Sequence, residues 1–209
     1  ISAALFMISI GNFIILAYVS RFGETAVAGY GSATRFEQIL LLPVLGLNTA
    51  IISIVGQSFG AKNYLRVKHS YYYAIFYGTT IMIIAGLIIF FTADKIVNIF
   101  TNNVVVISYG TIYLKISALI FPTYPIYFIS NGFFMALKKA TYAMNLNIIR
   151  NVLLPVPTIL LASYIGGSFK NFFWSYCLFN WVFAILLLVF VSIYIKNKIN
   201  INNQINRLL

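Results

Sequence analysis

Long apolar runs, broken at intervals by short polar segments, constrain this chain more than any other feature. A helix needs about 20 apolar residues to cross the hydrocarbon core of a bilayer. Six stretches meet that length, and the connections between them are too short to hold a soluble domain. The sequence therefore predicts an all-α, polytopic membrane protein, a bundle of six transmembrane helices at residues 1–20, 36–55, 71–92, 104–137, 142–165 and 172–195. The prolines inside three of these spans are expected to bend the helices: Pro43 in the second, Pro122 and Pro125 in the fourth, and Pro155 and Pro157 in the fifth.

The composition agrees with a lipid environment. Only 8% of the residues are charged and 61% are hydrophobic, whereas soluble domains carry about 25% charged residues. The net charge of +11 would suggest a nucleic-acid partner in a soluble protein. Here the lysines and arginines lie mostly between apolar runs, as in membrane proteins. We therefore expect the lipid bilayer, and no nucleic acid, as a partner.

Lysine and arginine are distributed unequally between the two sets of loops, and this asymmetry predicts the orientation. The poorer set is accompanied by the acids Glu24 and Asp94. The richer set, predicted to be cytoplasmic, holds Lys62, Arg66, Lys68, Lys138, Lys139, Lys196, Lys198 and Arg207. Both ends are then cytoplasmic, with residues 1–195 as the membrane lobe and residues 196–209 as a cytoplasmic tail. Because Ile1 opens an apolar run without a basic leader, we expect a fragment of a longer polypeptide.

The sequence offers little for catalysis. An embedded enzyme needs paired carboxylates, a histidine cluster or a set of metal ligands. The chain has one histidine, His69, one cysteine, Cys177, and one acid within a predicted span, Glu37. We therefore expect no enzymatic activity, no metal site and no cofactor. A channel would need a filter-like segment, and none is evident.

The segment GQSFGAK, residues 56–62, allows several interpretations. A phosphate-binding loop requires the pattern G-x-x-x-x-G-K-[ST] between a strand and a helix. Here Gly56 and Gly60 are too close together, and Asn63 follows Lys62 where serine or threonine is required. A second interpretation is a G-x-x-x-G motif, in which both glycines form a flat face for another helix.

The neighbourhood of this segment supports a third interpretation. The stretch VAGYGSATRFEQILLLPVLGLNTAIISIVGQSFGAKNYLRV resembles the multidrug and toxin extrusion (MATE) family of cation-coupled efflux transporters, and SNGFFMALKKATYAMNLNIIRNVLLPVP fits a later part of that family. The residues that match the family's loop are Gly56, Gln57, Gly60, Ala61 and Lys62. The resemblance implies the C-terminal half of such a protein, one lobe of a two-lobed transporter whose partner is the N-terminal half.

The resemblance also implies a function. Such a protein would export organic cations or amphiphilic drugs from the cell in antiport with H⁺ or Na⁺. It would lie in the plasma membrane, which in a bacterium is the inner membrane. Some members hold the coupling ion on acids in spans that correspond to residues 1–20 and 104–137, which contain no Asp or Glu here. Either Glu37 takes part in coupling or, as we prefer, the coupling site lies in the N-terminal half. The alternatives are a lipid-linked oligosaccharide flippase of the same superfamily, which would need more cavity arginines than Arg35 and Arg150, and a channel-like protein.

Glu37 is the leading candidate, because an ionisable group inside a membrane is costly and is usually functional. It shares a helix face with Leu41, Val44 and Asn48. One interpretation is that Glu37 faces a cavity and attracts a cation. The other is a structural role in which Arg35, Arg150 or another polar group holds the carboxylate, or a position near enough to the outer interface for hydration.

Polar and aromatic stripes mark the first and fourth spans. Such stripes suit a cavity for flat cations, although ordinary helix packing would also explain them. Arg150 is expected to extend toward the cytoplasmic surface. The stripe residues are Ser2, Ser9, Asn12, Ser117, Phe121, Tyr124, Phe128 and Asn131. The candidate binding residues are thus Glu37, Asn48, Asn12, Ser9, Tyr124, Asn131 and Arg150.

Overall fold

The computed structural model describes residues 2–208, with side chains for residues 6–197. This part of the chain forms nine α-helices and no β-strand, which confirms the all-α prediction. A 3₁₀ turn follows α1, and a π-helical segment, Ile149–Leu153, joins α7 to α8. The helices are α1 (Ser2–Val19), α2 (Glu24–Leu40), α3 (Leu42–Gly60), α4 (Tyr64–Asn98), α5 (Val104–Ile120), α6 (Thr123–Ala136), α7 (Ala140–Ile148), α8 (Pro155–Tyr164) and α9 (Phe169–Leu208).

Length and hydropathy identify most of the predicted spans. Four helical stretches are long and apolar enough to cross a bilayer, and the bent pair α5–α6 provides a fifth. The first predicted span corresponds to an apolar helix that is shorter than the others. Over the residues whose side chains are described, it runs Phe6–Phe22. The four are Leu42–Gly60, Tyr64–Asn98, Ala140–Tyr164 and Phe169–Asn197. The last helix continues through the predicted tail, where side chains beyond residue 197 lie outside the described part.

The fourth span bends at its prolines, as the sequence predicts. The axes of α5 and α6 differ by 55°. Pro122 cannot donate a backbone hydrogen bond, so the helical ladder is interrupted there. The indole nitrogen of Trp181, on α9, donates a 2.9 Å hydrogen bond to the carbonyl of Leu119 in the last turn of α5. A side chain from another helix therefore satisfies a backbone carbonyl beside the break.

The second span is longer at its start than the apolar run indicates. Its helical backbone begins with α2 at Glu24, well before residue 36. A break at Leu41 separates α2 from α3, with Pro43 in the first turn of α3. The N–H of Leu41 still donates to the Glu37 carbonyl at 3.1 Å, and that of Leu45 donates to the Leu41 carbonyl at 3.0 Å. The chain therefore remains helical through a local disturbance at the proline.

The outer surface is apolar. Phe91 is 79% exposed and Leu160 is 67% exposed, values that would be costly for large side chains in water. Similar side chains line the outer faces of α4 and α9, while the interior holds buried aromatic residues such as Phe121 and Phe172. This pattern fits a bundle with lipid as its outer solvent.

Within the described residues, no helix packs closely against the G-x-x-x-G face of Gly56 and Gly60. A methyl group added at Gly60 would meet no atom within 4 Å, and one at Gly56 would meet only the Ala136 carbonyl, at 3.9 Å. Close approach occurs at other glycines: a Cβ at Gly29, for example, would lie 2.6 Å from the Val106 carbonyl oxygen. The segment around Gly60 instead forms the end of α3 and the turn into α4.

Because their faces are open, Gly56→Ala and Gly60→Ala are each expected to leave the folded protein intact. Alanine within a helix is more favourable than glycine by roughly 0.5–1 kcal/mol, so the melting temperature should stay unchanged or rise. Thermal unfolding of the purified protein in detergent micelles measures this. A clear fall in melting temperature for Gly56→Ala would mean that the face packs against a neighbour after all.

Candidate functional site

A cavity of about 210 Å³ opens among α1, α2, α5, α6, the π-helical segment and α9. Its wall is mainly aromatic and polar, unlike the apolar outer surface. The polar and charged lining side chains are Asn12, Thr34, Glu37, Gln38, Arg150 and Asn151. The aromatic ones are Tyr30, Tyr113, Tyr124, Tyr127, Phe128, Phe173 and Tyr176. Within the described residues, no group of three or more His, Cys, Asp or Glu side chains is placed to hold a metal ion.

Glu37 lies on the last turns of α2 and is buried, with 7% of its surface exposed. One carboxylate oxygen accepts a hydrogen bond from the hydroxyl of Tyr113, and the other accepts one from the hydroxyl of Tyr124. Tyr113 belongs to α5 and Tyr124 to α6, on either side of the proline break. The carboxylate therefore links α2 to both halves of the bent span.

Arg150 is also 7% exposed, and it lies against aromatic faces. Its guanidinium carbon is 4.1 Å from the ring centroid of Tyr127, 4.8 Å from that of Tyr124 and 5.8 Å from that of Phe128. These distances are those of cation–π contacts. The expectation that Arg150 extends to the cytoplasmic surface is wrong, because its charged head is enclosed by rings rather than directed to the exterior.

The backbone at Arg150 is unusual as well. The N–H of Leu154 donates to the carbonyl of Ile149 at 2.8 Å, an i→i−5 hydrogen bond. Such π-helical turns are rare and frequently occur at functional sites. The prolines at 155 and 157 were expected to bend this span, and the irregularity lies in the turn immediately before them.

Glu37 and Arg150 share a ring but form no ion pair. Arg150 lies over the face of Tyr124, whose hydroxyl donates to Glu37. Among the side chains of residues 6–197, the one Lys/Arg–Asp/Glu pair within 4.0 Å is Lys115–Asp94, at 3.4 Å. The partners observed for Glu37 are thus two tyrosines rather than Arg35 or Arg150.

The structure brings together four of the seven candidate residues: Asn12, Glu37, Tyr124 and Arg150 all line the cavity. The other three lie outside its lining. Asn48 lies against Gly132 at the contact of α3 with α6, and the side-chain nitrogen of Asn131 donates to the Ala143 carbonyl at 3.2 Å. Ser9 is exposed on α1. The side chain of Ser2 lies outside the described residues.

Several lining residues were missed by the sequence interpretation. Tyr30 and Thr34 precede Glu37 by seven and three positions, which is the spacing of one helix face. Tyr113 precedes Ser117 by four in the same way. Continuing the Glu37 face of the second span and the stripe of the fourth span toward the N-terminus would have found these residues. Phe173 and Tyr176, three apart on α9, carry no comparable signal among the many aromatic residues of that helix.

Comparison with known proteins gives consistent similarities. The MatE family model matches residues 1–161. The probable multidrug resistance protein YpnP of Bacillus subtilis (strain 168) is 26% identical over 174 residues, covering 80% of this chain and 39% of that protein. The FAD transporter of Shewanella oneidensis is 24% identical over 158 residues, covering 76% of this chain and 35% of that protein.

The fold matches solved structures as well. A crystal structure of MATE in complex with MaL6 has a TM-score of 0.89 and 20% sequence identity, covering 95% of this chain and 45% of that one. At this identity the likeness concerns the fold alone. The chain spans about two fifths of the length of the curated relatives, 39% and 35% for the two above.

Proposed function

This chain belongs to the MatE family, and on that premise we propose that it is one lobe of a secondary-active transporter that exports organic cations or amphiphilic drugs. The name of the Bacillus relative, a probable multidrug resistance protein, supports export of this kind. The proposed function of the protein is transport rather than catalysis. The membrane would be a plasma membrane, the inner membrane in a bacterium, with the lysine-rich loops and both ends of this lobe in the cytoplasm.

The observation that carries the proposal is the cavity lined by charged and aromatic side chains. Its described lining includes one acid, Glu37, and seven aromatic side chains. Aromatic faces bind flat cations through the ring quadrupole, and a carboxylate in a medium of low dielectric attracts a cation more strongly than in water. A ligand in this cavity would contact α2 together with both halves of the bent span.

A complete transporter of this kind needs a second lobe and an ion gradient. The chain covers 45% of the matched MATE structure, which supports a partner lobe, the N-terminal half of the same polypeptide. Transporters of this type bind substrate near the midplane, between structural repeats. We propose H⁺ or Na⁺ as the coupling ion, with its main site in the partner lobe.

The flippase alternative receives less support from the cavity. Recognition of a phosphate-linked substrate favours several arginines. Arg150 is the one basic side chain in the described lining, while Arg35 is exposed outside it. A single arginine is a weak basis for binding a polyphosphate.

Ethidium accumulation in cells that express the complete gene product tests the export proposal. Expressing cells are expected to accumulate several-fold less ethidium than control cells, and an uncoupler or sodium removal should abolish the difference, which also identifies the ion. Equal accumulation in both strains would refute export. An electrical current that needs no substrate would favour the channel-like alternative.

A further inference from the structure

We propose that the bundle binds a phospholipid of net negative charge in an apolar groove on its outer surface, between α8 and α9, with the lipid phosphate at Lys170. The groove lies apart from the central cavity, and the two have no described lining residue in common. The inference therefore does not depend on the export proposal.

The groove between α8 and α9 is the larger of these two spaces. Its volume is about 550 Å³, against about 210 Å³ for the central cavity, and its wall is mainly apolar. Leu161 and Ile165 line it from α8, and Trp174, Leu178 and Ile185 line it from α9. The three on α9 are 47%, 54% and 55% exposed. An exposed apolar depression of this size marks a binding surface, and in a bundle with lipid as its outer solvent it suits an acyl chain.

A second apolar groove, of about 350 Å³, lies between α4 and α5. Trp181 lines both grooves, so they meet at its indole ring. The ring is held in place by the 2.9 Å hydrogen bond from its nitrogen to the Leu119 carbonyl, beside the break at Pro122. Two grooves divided by one fixed ring match a ligand with two flexible chains, such as a phospholipid.

A lysine lies at the same end of each groove. Lys170 precedes Trp174 by four positions on α9, and Lys95 follows Phe91, which lines the second groove, by four positions on α4. Each lysine is therefore one helical turn beyond an aromatic lining residue, on the same helix face. Because α4 and α9 cross the bundle in opposite directions, both lysines lie toward the end opposite the lysine-rich loops. Tryptophan and lysine together at the end of a span are typical of the level of lipid headgroups.

The charge of Lys170 favours an anionic lipid over a second copy of this chain. Lys170 is exposed, and among residues 6–197 the one Lys/Arg–Asp/Glu pair within 4.0 Å is Lys115–Asp94. The chain has three acids, of which Glu37 is buried and Asp94 is already paired, so a second copy could offer only Glu24. A phospholipid provides both the hydrocarbon for the groove and the negative charge for the lysine, and a lysine near a membrane surface attracts anionic headgroups.

Native mass spectrometry of the complete purified protein in detergent tests this. The probes are dioleoyl phosphatidylglycerol and dioleoyl phosphatidylcholine, which have equal chains and differ in net charge. Wild type is expected to bind phosphatidylglycerol saturably and about fivefold more tightly than phosphatidylcholine, the contribution of one lysine at a membrane surface. Lys170→Gln should abolish that preference. Trp174→Ala should weaken the binding of both lipids alike, because it removes contacts with the acyl chain.

Lys196→Gln and Leu186→Ala are the matched control variants on the same helix. Lys196 is an exposed lysine near the other end of the membrane-spanning part of α9, and Leu186 is 63% exposed but lines neither groove. Both variants should bind the two lipids as wild type does.

Equal affinity of wild type for the two lipids would overturn the inference without any variant, so a poorly folding variant does not prevent the test. Equal losses from Lys170→Gln and Lys196→Gln would mean general attraction to basic residues and would also overturn it. The placement in the groove would be refuted if Trp174→Ala bound lipid as Leu186→Ala does. A lipid-free dimer in the same spectra would show that a second copy covers the groove instead.

Discussion

Replacing Glu37 with glutamine is expected to lower ethidium export by about tenfold or more, with insertion and folding nearly intact. Glutamine has the same size, and its amide can still hydrogen-bond with the hydroxyls of Tyr113 and Tyr124, which now meet the carboxylate. What disappears is the negative charge in the cavity. Charge-assisted hydrogen bonds are about twice as strong as neutral ones, and a tenfold change corresponds to about 1.4 kcal/mol.

Export assays on cells with matched protein levels measure this effect. Glu24→Gln is the matched control, since Glu24 is an exposed acid in the first turn of the same helix, α2. It should export ethidium as wild type does. Unchanged efflux of several cations by Glu37→Gln would eliminate the proposed role of the carboxylate. Loss of the protein from the membrane would instead indicate a structural role.

Gly29→Ala is expected to destabilise the fold by about 3 kcal/mol, at the upper end of the cost of overpacking. The new Cβ would lie 2.6 Å from the Val106 carbonyl oxygen and 2.9 Å from the Gly110 nitrogen. These are backbone atoms of α5, so no side-chain rotation relieves the clash. The helices α2 and α5 would have to separate, and this would also displace Glu37 from Tyr113.

Gly31→Ala provides the matched control. Gly31 lies two positions further along α2, and a Cβ added there meets nothing within 4 Å. This variant should be as stable as wild type or gain up to about 1 kcal/mol. Thermal or chemical unfolding in detergent distinguishes the two variants. Equal stability of Gly29→Ala and Gly31→Ala would show that α2 and α5 are not in the tight contact described.

The apolar runs and prolines carried most of the information about the fold. Run length agreed with five of the six predicted spans, counting the bent pair as one, and the missing N–H of Pro122 predicted the bend between α5 and α6. The start of α2 was not predictable from hydropathy, because its first turns are rich in small and polar residues. That helical segment packs at Gly29 directly against the backbone of α5, a contact that hydropathy does not report.

Only the charged residues of the site were predictable from the sequence, because a charge inside a membrane is costly and therefore noticeable. Glu37 stood out because an acid in a predicted span needs a reason. Its hydrogen-bond partners, Tyr113 and Tyr124, could not be identified in this way, since they are 76 and 87 residues away along the chain. A pattern with a period of a few residues carries no information about such pairs. The sequence also identified Arg150 as a candidate, but the prediction that its side chain extends to the surface was wrong. The three aromatic rings that enclose its guanidinium come from a different helix, α6, which a local pattern does not show.

The π-helical segment Ile149–Leu153 holds one residue more than an α-helical turn would, because its hydrogen bond runs from Leu154 to Ile149, five positions back rather than four. The extra residue is absorbed within that turn, which presents both Arg150 and Asn151 to the cavity. Asn147, in the helix just before it, accepts a 2.6 Å hydrogen bond from Tyr127 of the same wall. If one residue of the segment were deleted, the turn could close into regular α geometry while α7 and α8 kept their positions. A single lost codon would thus alter which side chains face the cavity without rebuilding the bundle around it.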